Sequence, residues 1–335
     1  MKALRLFGPN DLRLHEEPEP APTQNDRLLR VTAVGLCGSD LHWIDQGGIG
    51  DAQLKKPLIL GHEFAGVIEK GPQRGQRVAV DPAAPCLACR YCQEGNPNLC
   101  EQLRFAGHGE EDGALREKLT WPKSCLHPLP DEMTDIEGVM LEPLGIALHA
   151  LDLGHVHPGM TVGIFGCGPI GLLLLQLVRA AGATRIIVTD RLIHRLEAAK
   201  AFGATTTVLA SGEHEHQEIW SATDGEGVDI AFEAAGENRA VETAIQAIRP
   251  GRQVILIGIP ENDRTMFTAS IARRKGLTIK IVRRMKHTYP RAIHLVQSGR
   301  VDLESLVTHR FPIFDFKAAF ACAQKREGIK VIIEF

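Results

Sequence analysis

The sequence predicts an α/β protein in which a doubly wound parallel-sheet domain is set into a β-rich domain that is split along the chain. Three observations carry this. A chain of 335 residues exceeds what one hydrophobic core supports, so about two domains are expected. Up to about Gly145 the chain reads as short strands and loops rich in Gly and Pro, with no sustained helical period. From Thr161 to about Arg283, apolar strand runs alternate with amphipathic helical stretches, the pattern of a parallel sheet covered by helices. The expected boundaries are 1–147 and 284–335 for the split domain and 148–283 for the inserted one.

The elements follow in order. Strand-forming runs bounded by turn residues occupy 27–34, 63–70 and 76–80. The inserted segment offers strands at 162–165, 185–189, 206–209, 228–232, 253–257 and 278–282, and helices at 168–181, 194–202 and 239–248. Past about Arg283 the pattern is mixed again and closes on a strand at 330–335.

Composition excludes several classes. Apolar residues at 44% and charged residues at 24% are ordinary for a soluble globular protein. A net charge of −3 gives no global attraction to nucleic acid or to anionic membranes. The longest strongly apolar run, around 171–178, falls far short of the ~20 residues that span a bilayer. The first residues lack the apolar core of a signal peptide. The expectations are a cytoplasmic location, no nucleic-acid partner and no membrane partner.

Gly166-Cys167-Gly168-Pro169-Ile170-Gly171 matches G-x-G-x-x-G after a strand and at the head of a helix. Gly166 permits the tight turn, Gly168 lets backbone approach a pyrophosphate, and Gly171 allows close helix–strand packing. Asp190 ends the next strand about 20 residues on, where a carboxylate accepts hydrogen bonds from the adenosine ribose. This favours NAD over NADP, against Arg191 and Arg195, which can pair with a phosphate. Ile257 and Gly258, ending a later strand, join Pro169, Ile170 and Arg195 as candidate cofactor residues.

Cys86-x2-Cys89-x2-Cys92-x7-Cys100 places four of eight cysteines within fifteen residues. Four thiolates close a tetrahedral shell around zinc and leave no position for chemistry, so this reads as a structural site pinning a loop poor in apolar residues. An iron–sulfur cluster takes the same ligands, but the spacing matches neither common ferredoxin pattern. Disulfides are disfavoured in the expected compartment. Cys37, His62 and Glu63 offer S, N and O ligands, a set of three that leaves zinc a fourth position. Spacing alone does not show that they converge.

Cys37-Gly38-Ser39-Asp40-Leu41-His42, Gly61-His62-Glu63, the four cysteines, Leu141-Glu142-Pro143-Leu144, Gly166–Gly171 and Val307-Thr308-His309-Arg310-Phe311-Pro312 together resemble the zinc-containing medium-chain dehydrogenases, and within them the sorbitol (polyol) branch. The resemblance runs along essentially the whole chain. It implies a GroES-like catalytic domain, split in sequence, around a Rossmann domain. It implies two zinc ions per chain, one catalytic at Cys37, His62 and Glu63 and one structural at the cysteines. Glu142 is implied to lie near the catalytic metal, holding its water or ligating transiently, so it joins the candidate metal residues. Ser39 matches the hydroxyl of a proton relay and His42 a later relay position. Trp43, Phe105, Arg284 and Met285 are implied to line the substrate site. Met285 departs from the aromatic common in the branch.

The expected activity is transfer of a hydride from a secondary alcohol of a small polyol or sugar-like molecule to NAD, giving a ketone, in a homotetramer or homodimer. A threonine- or sugar-acid-type dehydrogenase on the same scaffold is the alternative, because Arg283, Arg284, Lys286 and His287 form a basic cluster suited to a carboxylate. A non-catalytic NAD-binding protein is the reading from another class, and retention of Cys37, His62, Glu63 and Glu142 argues against it. Pro143 is expected to hold Glu142 in an extended conformation.

Overall fold

Asp26–Gly35 is a ten-residue strand that alternates little, because both of its faces are largely covered. It is the hub of a seven-stranded sheet. On one side it pairs antiparallel with Glu63–Ile68, followed by Arg77–Val80 and Leu126–Pro128. On the other it pairs antiparallel with Lys330–Glu334, which in turn pairs parallel with Val307–Pro312. Lys118–Pro122 adds to its first half. Leu29, Val34, Phe64, Val80, Trp121 and Ile333 fill the core of this unit, each at most 1% exposed. The register brings Gly35 opposite both Glu63 and Ile332, so the end of one strand and the start of another meet the middle of a third.

The computed structural model describes residues 1–335. The strands above belong to a unit made of Met1–Glu142, Tyr289–Gln297 and Leu303–Phe335. A second unit comprises Pro143–Thr288 and Ser298–Asp302. Its sheet has six strands, all parallel, in the order Thr206–Leu209, Arg185–Asp190, Thr161–Phe165, Val228–Glu233, Ile248–Leu256, Thr278–Ile281. The strand order reverses between Thr161–Phe165 and Val228–Glu233, the switch point at which ligands bind in such sheets. Phe165, Ile187, Val208, Val254 and Ile245 build its core. Buried Gln176 donates to the Asp302 carbonyl at 2.9 Å and accepts from its amide at 2.7 Å, which ties Ser298–Asp302 to this unit. No helix is long and apolar enough to cross a membrane.

Two helices longer than a single turn correct the reading of the first 145 residues as strand and loop. Gly38–Gln46 is a nine-residue helix, short and opened by turn-forming residues. Asp135–Gly154 is a twenty-residue helix that contains both Glu142 and Pro143, so Glu142 is helical rather than extended. This helix is buried on nearly every side from Gly138 to Ala150, so its sequence shows no amphipathic period. A start signal was nevertheless present. Thr134 Oγ1 accepts from the Glu137 amide at 3.1 Å, and the Glu137 carboxylate accepts from the Thr134 amide at 2.7 Å, a reciprocal capping box.

Candidate functional site

The ligand atoms of Cys37, His62 and Glu63 lie within 4.8 Å of one another. Cys37 precedes helix Gly38–Gln46, and Glu63 opens strand Glu63–Ile68 with His62 just before it. Between them, Gly61 takes φ +93°, where a Cβ would press on Val34 and Leu115. That turn lets adjacent residues aim at one point.

Asp40 joins the two segments. Fully buried, it accepts from the Cys37 amide at 2.9 Å and the Gly61 amide at 3.3 Å, and its Oδ1 faces His62 Nδ1 at 3.4 Å. Burial opposes its charge, but His62 and the two amides outweigh burial and hold the carboxyl below its ordinary range. Burial likewise opposes a charged His62, and Asp40 reverses the outcome, raising the imidazole well above 6.5. An imidazole whose Nδ1 faces a carboxylate offers Nε2 to a metal. His62 Nε2 lies 3.3 Å from Ser39 Oγ.

Lys330 is the second residue that sequence reasoning missed. It forms an ion pair with Glu63 Oε2, and both side chains are 2% exposed. Burial opposes its charge, yet Glu63, Cys37 and Glu142 together raise its pKa. Glu142 is also buried and is not among the three clustered ligands. Burial, with Glu63 adding to it against the pull of His62, pushes its carboxyl up to about 8. A thiol, an imidazole and a carboxyl converging on one point fit a divalent cation, and the mixed S, N and O set fits zinc.

The second cysteine group also converges, with all four sulfurs within 4.8 Å. Cys89 Sγ lies 3.6 Å from Cys92 Sγ and 3.9 Å from Cys100 Sγ. Sulfurs placed about 2.3 Å from a zinc ion at tetrahedral corners stand about 3.8 Å apart, so these distances fit the ion and exclude disulfides. Amides of Cys86, Ala88 and Cys89 donate to sulfur at 3.2–3.5 Å. Backbone amides lower Cys89 to about 6, while desolvation and neighbouring sulfurs push Cys92 up to about 12, a split that a cation would remove.

In the parallel-sheet unit, Gly166 takes φ +105° and packs against the backbone of Ala234 and Ala235. Pro169 opens helix Pro169–Ala180, with Ile170 half-buried beside it. A Cβ on Gly168 would meet only Arg195, 3.6 Å away, so the backbone is open to a ligand there. Asp190 accepts from the Cys167 amide at 2.7 Å and the Leu192 amide at 2.9 Å. Ile257 and Gly258 donate to the Glu233 carbonyl just past strand Ile248–Leu256.

Of the candidate substrate residues, Phe105 tilts against His62 at 5.4 Å between ring centroids. Trp43 is 1% exposed and meets His108 edge-on at 5.4 Å. His42 follows Ser39 by three residues on the same helix face, half-buried. Arg284 has φ +55°, and Met285 is buried against Gly145.

Residues 23–131 match the family described as alcohol dehydrogenase GroES-like domain, and residues 169–298 match zinc-binding dehydrogenase. Sorbitol dehydrogenase of Bacillus subtilis is 34% identical over 99% of this chain and 97% of its own length. An Escherichia coli oxidoreductase of unknown specificity superposes with a TM-score of 0.93 at 33% identity, covering 99% of this chain and 98% of that one. L-idonate 5-dehydrogenase from Escherichia coli superposes with a TM-score of 0.91 at 26% identity, covering 100% and 98%. Two convergent zinc-type ligand sets, a glycine turn at a parallel-sheet switch point and relatives matched along their full length make this chain a member of the zinc-containing medium-chain dehydrogenases, in the sorbitol dehydrogenase branch.

Proposed function

We propose that the chain oxidises a secondary alcohol of a small polyol or sugar-like substrate to a ketone with NAD as hydride acceptor. The observation that carries this is the Cys37–His62–Glu63 group with the Ser39 hydroxyl 3.3 Å from His62. Zinc held by Cys37, His62 and Glu63 would supply Lewis acidity that lowers the pKa of an alcohol, and NAD held at the glycine turn would supply the hydride acceptor. Ser39 accepts the substrate's proton and passes it along the helix face toward His42. Glu142, outside the ligand group, orients the substrate hydroxyl by a hydrogen bond. Asp40 fixes the His62 ring, and Lys330 offsets the negative charge of Glu63. Phe105, Trp43, Arg284 and Met285 shape the substrate's surroundings. In this reading residues 1–147 and 284–335 form the catalytic domain and 148–283 the NAD domain.

Steady-state turnover on sorbitol, xylitol, galactitol, threonine and an aldonate, each with NAD and NADP, tests the assignment. The highest kcat/KM is expected on a polyol, with NAD preferred at least about tenfold, equal to roughly 1.4 kcal/mol. A best substrate that carries a carboxylate would favour the second reading, a sugar-acid dehydrogenase. The basic run Arg283, Arg284, Lys286 and His287 and the likeness to L-idonate 5-dehydrogenase support that reading. We also propose a homodimer or homotetramer. Strand Thr278–Ile281 ends the parallel sheet with an unpaired edge, and Ile281 is 77% exposed.

A further inference from the structure

One ion pair bridges the loops on either side of the glycine turn. Arg191 directly follows strand Arg185–Asp190, and Glu237 lies four residues past the end of strand Val228–Glu233. Both oxygens of Glu237 are 3.3 Å from Nη1 of Arg191. In the sheet these strands flank Thr161–Phe165, which leads into Gly166–Gly171. The pair therefore spans the switch point at its adenosine side, where Asp190 stands.

The position of Glu237 is set from below. The Glu233 carboxylate is 1% exposed and accepts from the amides of Ala235 at 2.8 Å and Gly236 at 2.7 Å. Glu237 precedes helix Asn238–Ala247, but its side chain does not cap that helix. Its carboxylate is thus turned to Arg191 rather than to its own helix.

The charges near Asp190 decide what this pair does. Arg195 Nη1 lies 3.9 Å from Asp190 Oδ2, and Arg191 is the next residue after Asp190. Two guanidiniums beside one carboxylate leave a net charge of +1, which suits the 2′-phosphate that separates NADP from NAD. Glu237 brings that count to zero and engages the more exposed of the two arginines, 66% against 14%.

We propose that Glu237 is a cofactor-specificity residue, holding Arg191 off a 2′-phosphate. This rests on the nicotinamide-cofactor reading of the site. The test is fluorescence titration of the zinc-loaded enzyme with NADH and with NADPH, on wild type, Glu237→Gln, Arg191→Ala and the double variant. Both side chains are at the surface, so the variants are expected to fold. Glu237→Gln should tighten NADPH about three- to fivefold, the range of an exposed ion pair, and leave NADH within about twofold. The gain should shrink at high salt and vanish in the double variant. An unchanged NADPH affinity, an equal gain for NADH, or a gain that survives in the double variant overturns the proposal. Wild type that binds NADPH more tightly than NADH refutes the NAD preference alone, because the change on Glu237→Gln still measures the clasp. Binding of neither dinucleotide by any variant overturns both.

Discussion

At Glu63 two cations compete for one carboxylate. Lys330 holds it in a fully buried pair, and a zinc ion held with Cys37 and His62 would draw on the same carboxylate. Glu63→Ala removes a ligand and leaves Lys330 as a buried unpaired charge, a defect that costs about 3–5 kcal/mol. Glu142→Ala removes a group beside the ligands, a change that typically lowers affinity or activity ~10–100-fold. Purified Glu63→Ala should therefore carry about one zinc per chain instead of about two. Glu142→Ala should keep its zinc and lose turnover. Metal content by atomic absorption, set beside turnover, checks both. A Glu142→Ala protein that sheds the catalytic zinc while Glu63→Ala keeps it would reverse the two roles. Cys37, His62 and Glu63 were legible as residue types acceptable to zinc, and their convergence came only from resemblance. Asp40 stood inside a motif already noted, and its position three residues after Cys37 was the available signal. Lys330 had no signal beyond being a lone cation at the head of the apolar run Val331–Ile333, because its partner is 267 positions earlier in the chain.

Short elements here depend on what they are tied to. The loop carrying Cys86–Cys100 contains one four-residue helix and a three-residue 3-10 turn, neither able to persist without the metal. Cys92→Ser should release about one zinc and lower the Tm, while molecules that remain folded keep measurable turnover. Abolished turnover in a stable protein with unchanged zinc would contradict the structural role. The strand Leu126–Pro128 carries a different dependence. His127 stacks on Tyr289 with ring centroids 4.2 Å apart, and Tyr289 donates to the Val80 carbonyl at 2.8 Å. Burial lowers the His127 pKa to about 4, so the folded chain prefers the neutral ring. Its stabilising effect is whole above the unfolded value near 6.5 and is lost as pH falls from there toward 4, by at most about 3 kcal/mol. His127→Phe keeps a stacked ring without a titrating group. Its Tm should fall less than that of wild type between about pH 7 and pH 4.5, and parallel curves would remove His127 as the cause. Elements with a clear period or a dense local motif were readable in advance. The six parallel strands, the glycine turn and the four cysteines are of that kind. Helix Asp135–Gly154 was not, since burial all round erases the periodicity that marks a surface helix, and only its capping box at Thr134 and Glu137 remained as a sign.

Across the molecule, the two units differ in how far apart their parts lie in the chain. The parallel-sheet unit is nearly continuous, Pro143–Thr288 with five further residues, whereas the other draws on three separate stretches. Lys330–Glu334 is not an edge strand. It lies between Asp26–Gly35 and Val307–Pro312, so the sheet that begins with residue 26 is incomplete until residue 334 is in place. On the ribosome this sets an order of events. Residues 143–288 leave the exit tunnel with a whole sheet to form, while the earlier segment waits with an open strand edge at Asp26–Gly35 and an unpaired Glu63. Nascent chains halted before Lys330 should expose that edge to pairing with other chains and present the catalytic ligands without their countercharge. Metal capture at Cys86–Cys100 needs only a contiguous stretch, so zinc can enter there while the chain is still being made, ahead of the site that performs the chemistry.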